Sequence, residues 1–339
     1  MGVGVQQGCA PYAGWARLGK ACGRGITALS MKILVTGAAG FIGSNLAKRL
    51  SADGHDVVGA DSLLAASYDN LVDFTGDFLT LRDHDDVASM KSVGPFDAIF
   101  HQASITGVVG AAGQDYSDAH RMLRNNVETF RAILDWAVDT KARVVWASSC
   151  SIYGRGPVPM KESQTPDPLN AYAFSKLTME RMALRYATRL AHPIVGLRYS
   201  NVYGPGEAQK GKLASMIHQL AKQMLAGHRP RIFDPGTQKR DFVYIEDVVQ
   251  ANLCALTARK SGHFNAGAGA SWTFNEVVTH LNRMLKTELA PDYFPNPYAF
   301  TQDWTETDQS LAKSSLGYVP KFDLGKGIEA YFESGKLGK

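Results

Sequence analysis

A chain of 339 residues with 45% hydrophobic and 20% charged residues has ample material for a buried core, and its composition is that of an ordinary globular protein. The formal charge of +4 is gathered at the start, where Arg17, Lys20 and Arg24 stand without an acid, so the rest is near neutral and offers no basic stripe for nucleic acid. No run reaches the roughly 18 consecutive apolar residues of a membrane span, and Cys9, Cys22, Cys150 and Cys254 lack metal-ligand spacing, so neither a membrane nor a metal is expected and a reducing, cytoplasmic setting is.

Residues 1–30 have no long apolar segment of the signal-peptide kind; they are read as a disordered extension or an over-called start, with a transit peptide as the alternative. From Lys32, short β-branched runs alternate with longer amphipathic ones. Residues 32–36, 56–60, 97–102, 143–148 and 194–198 predict buried strands, and 43–52, 118–139 and 170–191 predict crossover helices. That order belongs to an α/β fold with a doubly wound parallel (Rossmann) sheet. Residues 31–199, with a return segment at about 241–268, are expected to form the dinucleotide-binding domain. Residues 200–240 and 269–335, where turn residues at 203–206, 229–236 and 294–298 separate shorter elements, are expected to form a smaller C-terminal substrate-binding domain.

Gly37, Gly40 and Gly43 follow the first strand and open the first helix in the spacing G-x-x-G-x-x-G. Gly37 and Gly40 allow a tight turn and close backbone approach to a pyrophosphate, Gly43 lets the helix lie against the strand, and the N–H groups at Phe41 and Ile42 face the phosphates. Asp61, at the end of the second strand, suits the adenosine ribose hydroxyls, and residues 62–78 contain no Lys or Arg to hold a 2′-phosphate, which favours NAD over NADP. Asp77 and Phe78 are expected near the adenine and Asn126 on the nicotinamide side.

Tyr172 and Lys176 stand at i and i+4, so they share one face of a helix. A lone Y-x-x-x-K carries little information; here it follows a strand whose carboxyl end carries Ser149. Lys176 is expected to lower the Tyr172 phenol pKa, and Ser149 to hydrogen-bond the reacting hydroxyl, so that Tyr172 takes a sugar proton while hydride leaves the same carbon.

Residues 36–43, Ser149, Tyr172, Lys176 and the run 198–205 together resemble the extended short-chain dehydrogenases that modify nucleotide sugars, over nearly everything after Met31. Residues 204–216, 238–248 and 299–302 further resemble the ADP-glyceromanno-heptose 6-epimerases within that family. The resemblance implies transient oxidation at C6″, turning of the carbonyl in the pocket and hydride return to its other face. It also implies a second acid/base at Lys210, sugar contacts at Thr106, diphosphate contacts at Arg240 and Asn201, a homo-oligomer, and a place in lipopolysaccharide core biosynthesis. Ser200 in place of the more usual Phe, the missing lysines after the second strand and a divergent loop at 104–116 are departures that touch the cofactor and the sugar rather than the reaction type.

A 4,6-dehydratase would carry an acidic pair after the catalytic Ser, where Cys150 and Ser151 stand, and a decarboxylating enzyme would favour a Glu there. A 4-epimerase of another nucleotide sugar, using Tyr172 in both directions, is the alternative reaction. A non-catalytic NAD(P)-binding relative is the alternative class, against which the intact Ser149, Tyr172 and Lys176 count.

Overall fold

The computed structural model describes residues 30–83, 86–106, 116–297 and 302–339, the side chains of 116–118 excepted. The extension 1–29 with Cys9 and Cys22, residues 107–115 of the expected sugar loop, and residues 298–301, which include 299–301 of the motif at 299–302, lie outside the described residues.

In chain order the elements are β1 (Lys32–Thr36), α1 (Phe41–Ala52), β2 (Asp56–Asp61), β3 (Asp77–Thr80), α2 (Val87–Ser92), β4 (Ala98–His101), α3 (Tyr116–Thr140), β5 (Arg143–Ser149), α4 (Ala171–Tyr186) and β6 (Ile194–Tyr199). Then follow β7 (Asn201–Tyr203), α5 (Met216–Leu225), β8 (Arg231–Phe233), β9 (Lys239–Arg240), β10 (Phe242–Tyr244), α6 (Ile245–Leu256) and β11 (Gly262–Ala266). The last are β12 (Trp272–Thr273), α7 (Phe274–Leu285), β13 (Asp292–Phe294), α8 (Ser310–Leu316) and α9 (Leu324–Glu333).

The main sheet runs β11-β6-β5-β4-β1-β2-β3 with every pairing parallel. Its strands are apolar on both sides because both faces are covered. Ile33 and Val35 join a core with Leu46, Val249 and Leu253 of α1 and α6, whereas Leu34 joins Phe130, Ile133 and Met179 of α3 and α4. The chain winds outward from β1 through β2 to β3, then returns to place β4 on the other side of β1. The gap between the ends of β1 and β4 is therefore the switch point at which such sheets take ligands.

The three crossover helices form where their apolar spacing put them, with α4 shorter than the expected 170–191. Asn170 caps its start by accepting the Ala173 N–H at 2.8 Å, and after Tyr186 the chain turns through Arg189 N–H to Tyr186 carbonyl, so that Pro193 can lead into β6. Beyond β6, the chain forms the parallel pair β7/β10, the antiparallel pair β9/β12 and the parallel pair β8/β13, and β11 rejoins the main sheet beside β6.

Candidate active site

The glycine turn sits at the switch point. Gly37 has φ +70, and a Cβ on it would stand 2.7 Å from the Ala103 nitrogen after β4; a Cβ on Gly43 would collide with the Gly37 carbonyl oxygen. Gly40 precedes α1 without a side-chain cap, so the amides of Phe41 and Ile42 face outward from the helix start. Asp61 closes this turn from β2: one carboxylate oxygen accepts the Ala39 N–H at 3.0 Å and the other the Leu63 N–H at 2.9 Å. Thr36, Gly37, Asp61, Ser62, Leu81 and His101 line one cavity. Backbone without side chains at the phosphate position and a carboxylate at the ribose position fit a nicotinamide dinucleotide.

One cofactor expectation is corrected. Asp77 and Phe78 open β3 instead of following it, pairing with Val58 and Gly59, and they border a groove with Lys32 and Val93 at the amino edge of the sheet. In a parallel sheet, only residues at the other end reach the switch point, and there Leu81, just past β3, lines the cavity. Asn126 of α3 is buried, but its amide accepts the Ile105 N–H at 2.9 Å and donates to the Ile105 carbonyl at 3.1 Å and the Ser175 hydroxyl at 3.2 Å. It braces the loop after β4 against α4, next to Lys176.

Ser149, Tyr172 and Lys176 converge at the end of β5. Lys176 is 1% exposed and donates to the Ala147 carbonyl at 2.7 Å, which fixes its ammonium 5.6 Å from the centroid of the Tyr172 ring. Burial pulls the Lys176 ammonium down to about 7, against the pull of Glu180 in the other direction. The expected depression of the phenol is not found. Burial pushes Tyr172 up to about 12, opposed by its hydrogen bond with Ser149.

The second half of the site comes from segments after β6. Lys210 lies in a 3-10 segment, Ala208–Leu213, and its ammonium stands 5.6 Å from the Phe41 ring centroid, over the start of α1. Desolvation lowers its pKa and the carboxylate of Glu207 raises it. Thr106, in the segment that leads out of β4, is exposed. Asn201 donates to the Asp241 carbonyl and the Thr305 hydroxyl, both at 3.2 Å, leaving its own carbonyl oxygen as the group open to a ligand. Arg240 is half-buried, bonded to the Lys239 carbonyl at 2.8 Å and lowered to about 10 by desolvation. A salt bridge to Asp241 does not form: that carboxylate is fully buried, accepting the N–H groups of Ala268 and Thr307 and the hydroxyls of Ser200 and Thr307.

Several groups that sequence reasoning passed over hold this arrangement. Glu180, one helical turn after Lys176, accepts the Ser148 hydroxyl at 2.6 Å and pairs with Arg198 of β6 at 2.7 Å. The Tyr199 hydroxyl donates to Gln102 at 2.9 Å, tying β6 to the loop that passes the cofactor cavity. Glu180 and Arg198 carried a signal, an acid and a base at positions that helix and strand periodicity both turn inward.

Comparison with known proteins agrees with this geometry. The model of the NAD dependent epimerase/dehydratase family matches residues 33–267. An ADP-L-glycero-D-manno-heptose-6-epimerase of Alkalilimnicola ehrlichii is 33% identical, over 89% of this chain and 97% of the relative. The crystal structure of Helicobacter pylori ADP-L-glycero-D-manno-heptose-6-epimerase superposes with a TM-score of 0.82 at 34% identity, covering 90% of this chain and 96% of that one. The structure of MoeE5 in complex with UDP-glucuronic acid and NAD gives 0.78 at 30% identity, covering 90% and 99%. The chain is an enzyme and belongs to the NAD dependent epimerase/dehydratase family.

Proposed function

We propose that the chain is a nucleotide-sugar epimerase that inverts C6″ of an ADP-glyceromanno-heptose, with NAD favoured over NADP. The observation that carries this reading is the pairing of a Ser149–Tyr172–Lys176 group at the end of β5 with a second amine, the exposed Lys210, brought over Phe41 from a different segment. Relatives that carry the heptose epimerase name over nearly their whole length support the sugar.

NAD, when bound at the glycine turn, supplies the acceptor and donor of hydride. Tyr172, held by Ser149, takes the proton of the sugar hydroxyl as the carbon is oxidised. Lys210 serves the opposite face, donating a proton when the turned carbonyl is reduced; a lowered ammonium pKa makes that donation easier. Arg240 and the open oxygen of Asn201 orient the diphosphate and its sugar, and Thr106 meets the sugar hydroxyls. Asp61, whose carboxylate faces the ribose position, repels a 2′-phosphate and so supports NAD.

The test is incubation with ADP-D-glycero-D-manno-heptose under NAD or NADP, following C6″ inversion by NMR for wild type and Lys210→Ala. Inversion by wild type that disappears in Lys210→Ala is the expected result. Absence of inversion by wild type with either cofactor would move the assignment to a 4-epimerase that uses Tyr172 on both faces.

A further inference from the structure

The segment that carries Lys210 is fastened to the dinucleotide turn by residues far away in the chain. Gln209 accepts the Ser67 N–H at 3.1 Å and donates to the Ser67 hydroxyl at 3.1 Å, so it grips the loop that follows Asp61 with both ends of its amide. Asn70, 9% exposed, donates to the Ala39 carbonyl inside the glycine turn at 3.2 Å and to the Gly206 carbonyl at 3.0 Å. Asn45 of α1 makes a parallel bridge from the Phe41 carbonyl to the Pro205 carbonyl, each at 2.9 Å. At its base the segment is closed on itself by the buried Glu207, which accepts the Gly204 N–H at 3.0 Å and the Ser215 hydroxyl at 2.9 Å. The contacts with Ser67 and Asn70 are of another kind, since they join the segment to elements whose place in the fold is to hold the dinucleotide.

We propose that Ser67, Asn70 and Gln209 are positioning residues that lock the Lys210 segment onto the dinucleotide turn, so that one closed arrangement retains the cofactor and places the Lys210 ammonium. The chemistry gives the lock a purpose. An epimerase must return hydride to the sugar it has oxidised, and a reduced cofactor that left between the two transfers would strand the ketone. The placement half of the proposal rests on the epimerase reading and on Lys210 as the second base; the retention half does not.

The test loads the full-length protein with NADH and follows its release by the change in nicotinamide fluorescence on displacement with excess NAD. Gln209→Ala, which loses two neutral hydrogen bonds, and Ser67→Ala, which loses the bond from Gln209 together with its own two to Asp69, should each speed release roughly five- to tenfold. Ser67→Thr, which keeps both the N–H and the hydroxyl, should restore slow release. In the same variants the inversion kcat should fall while KM for the sugar nucleotide stays near wild type. Retained inversion in Lys210→Ala would remove the base assignment without touching the lock, which is read from NADH release in Ser67→Ala and Gln209→Ala. Release as slow in Ser67→Ala and Gln209→Ala as in wild type would overturn the lock itself.

Discussion

Glu180 and Arg198 meet in a two-pronged buried pair, with Arg198 Nε 2.9 Å from Glu180 Oε1 and Nη2 2.7 Å from Oε2. The Tyr153 hydroxyl, 2.8 Å from Arg198 Nη1, and the Ser148 hydroxyl, 2.6 Å from Glu180 Oε1, complete its hydrogen bonding. The pair thereby joins α4, which bears Tyr172 and Lys176, to β5 and β6. Glu180→Gln leaves the guanidinium buried without its counter-charge, and a loss of about 3–5 kcal/mol in denaturant unfolding is expected. Arg198→Met combined with Glu180→Gln should recover part of that loss, because the uncompensated charge is gone.

Tyr172→Phe removes the hydroxyl that Ser149 bonds and leaves the ring against Lys176. Inversion should fall by roughly 10²–10⁴, while dinucleotide affinity and melting temperature stay close to wild type. A fall in dinucleotide affinity as large as the fall in rate would assign Tyr172 to binding instead.

Lys176 gives the fold a pH dependence whose sign is fixed. Its pKa is about 7 in the folded protein against an ordinary 10.5, so between those values the unfolded chain holds more protons than the folded one. Stability contributed by this group therefore rises with pH from about 7 to 10.5, and below 7 the buried ammonium is a standing penalty. The difference in unfolding free energy, wild type minus Lys176→Met, should climb across that window in urea titrations. A flat difference would contradict the depressed pKa.

Gly43→Ala drives a methyl into the Gly37 carbonyl, which belongs to backbone and cannot swing aside. A loss of about 1–3 kcal/mol or more is expected from overpacking, together with loss of dinucleotide binding, read by thermal melting and by titration with NADH. Gly54→Ala is the control for a glycine whose added Cβ would meet nothing within 4 Å, although its φ of +90 makes it pay a backbone cost.

Asp61→Asn loses the charge and keeps only one of the two oxygens that accept the Ala39 and Leu63 amides. The ratio of NAD to NADP affinity should drop roughly tenfold, equivalent to about 1.4 kcal/mol. Equal weakening of both dinucleotides would show that Asp61 serves the turn and not the choice of cofactor.

Periodicity and glycine spacing determined much of this protein from the chain alone. The apolar runs of β1, β2, β4, β5 and β6 announce strands covered on both faces, and the G-x-x-G-x-x-G at the end of the first announces a phosphate-binding turn, because both are local consequences of backbone geometry. The Tyr172–Lys176 spacing is local in the same sense. Register and long-range pairing are not local. The strand β3 is short, at the sheet edge and without β-branched alternation, so nothing in its residues tells where it begins; the sheet decides that, and with it the displacement of Asp77 and Phe78 from the cofactor side in favour of Leu81. In the same way, burial decides the rise of the Tyr172 pKa and the fall of that of Lys176, and packing decides that Asn126 is spent on Ile105 and Ser175. Periodicity turns Glu180 and Arg198 inward, but only the folded chain pairs them, and only it brings Gln209 to Ser67, a contact that leaves no periodic trace in the sequence.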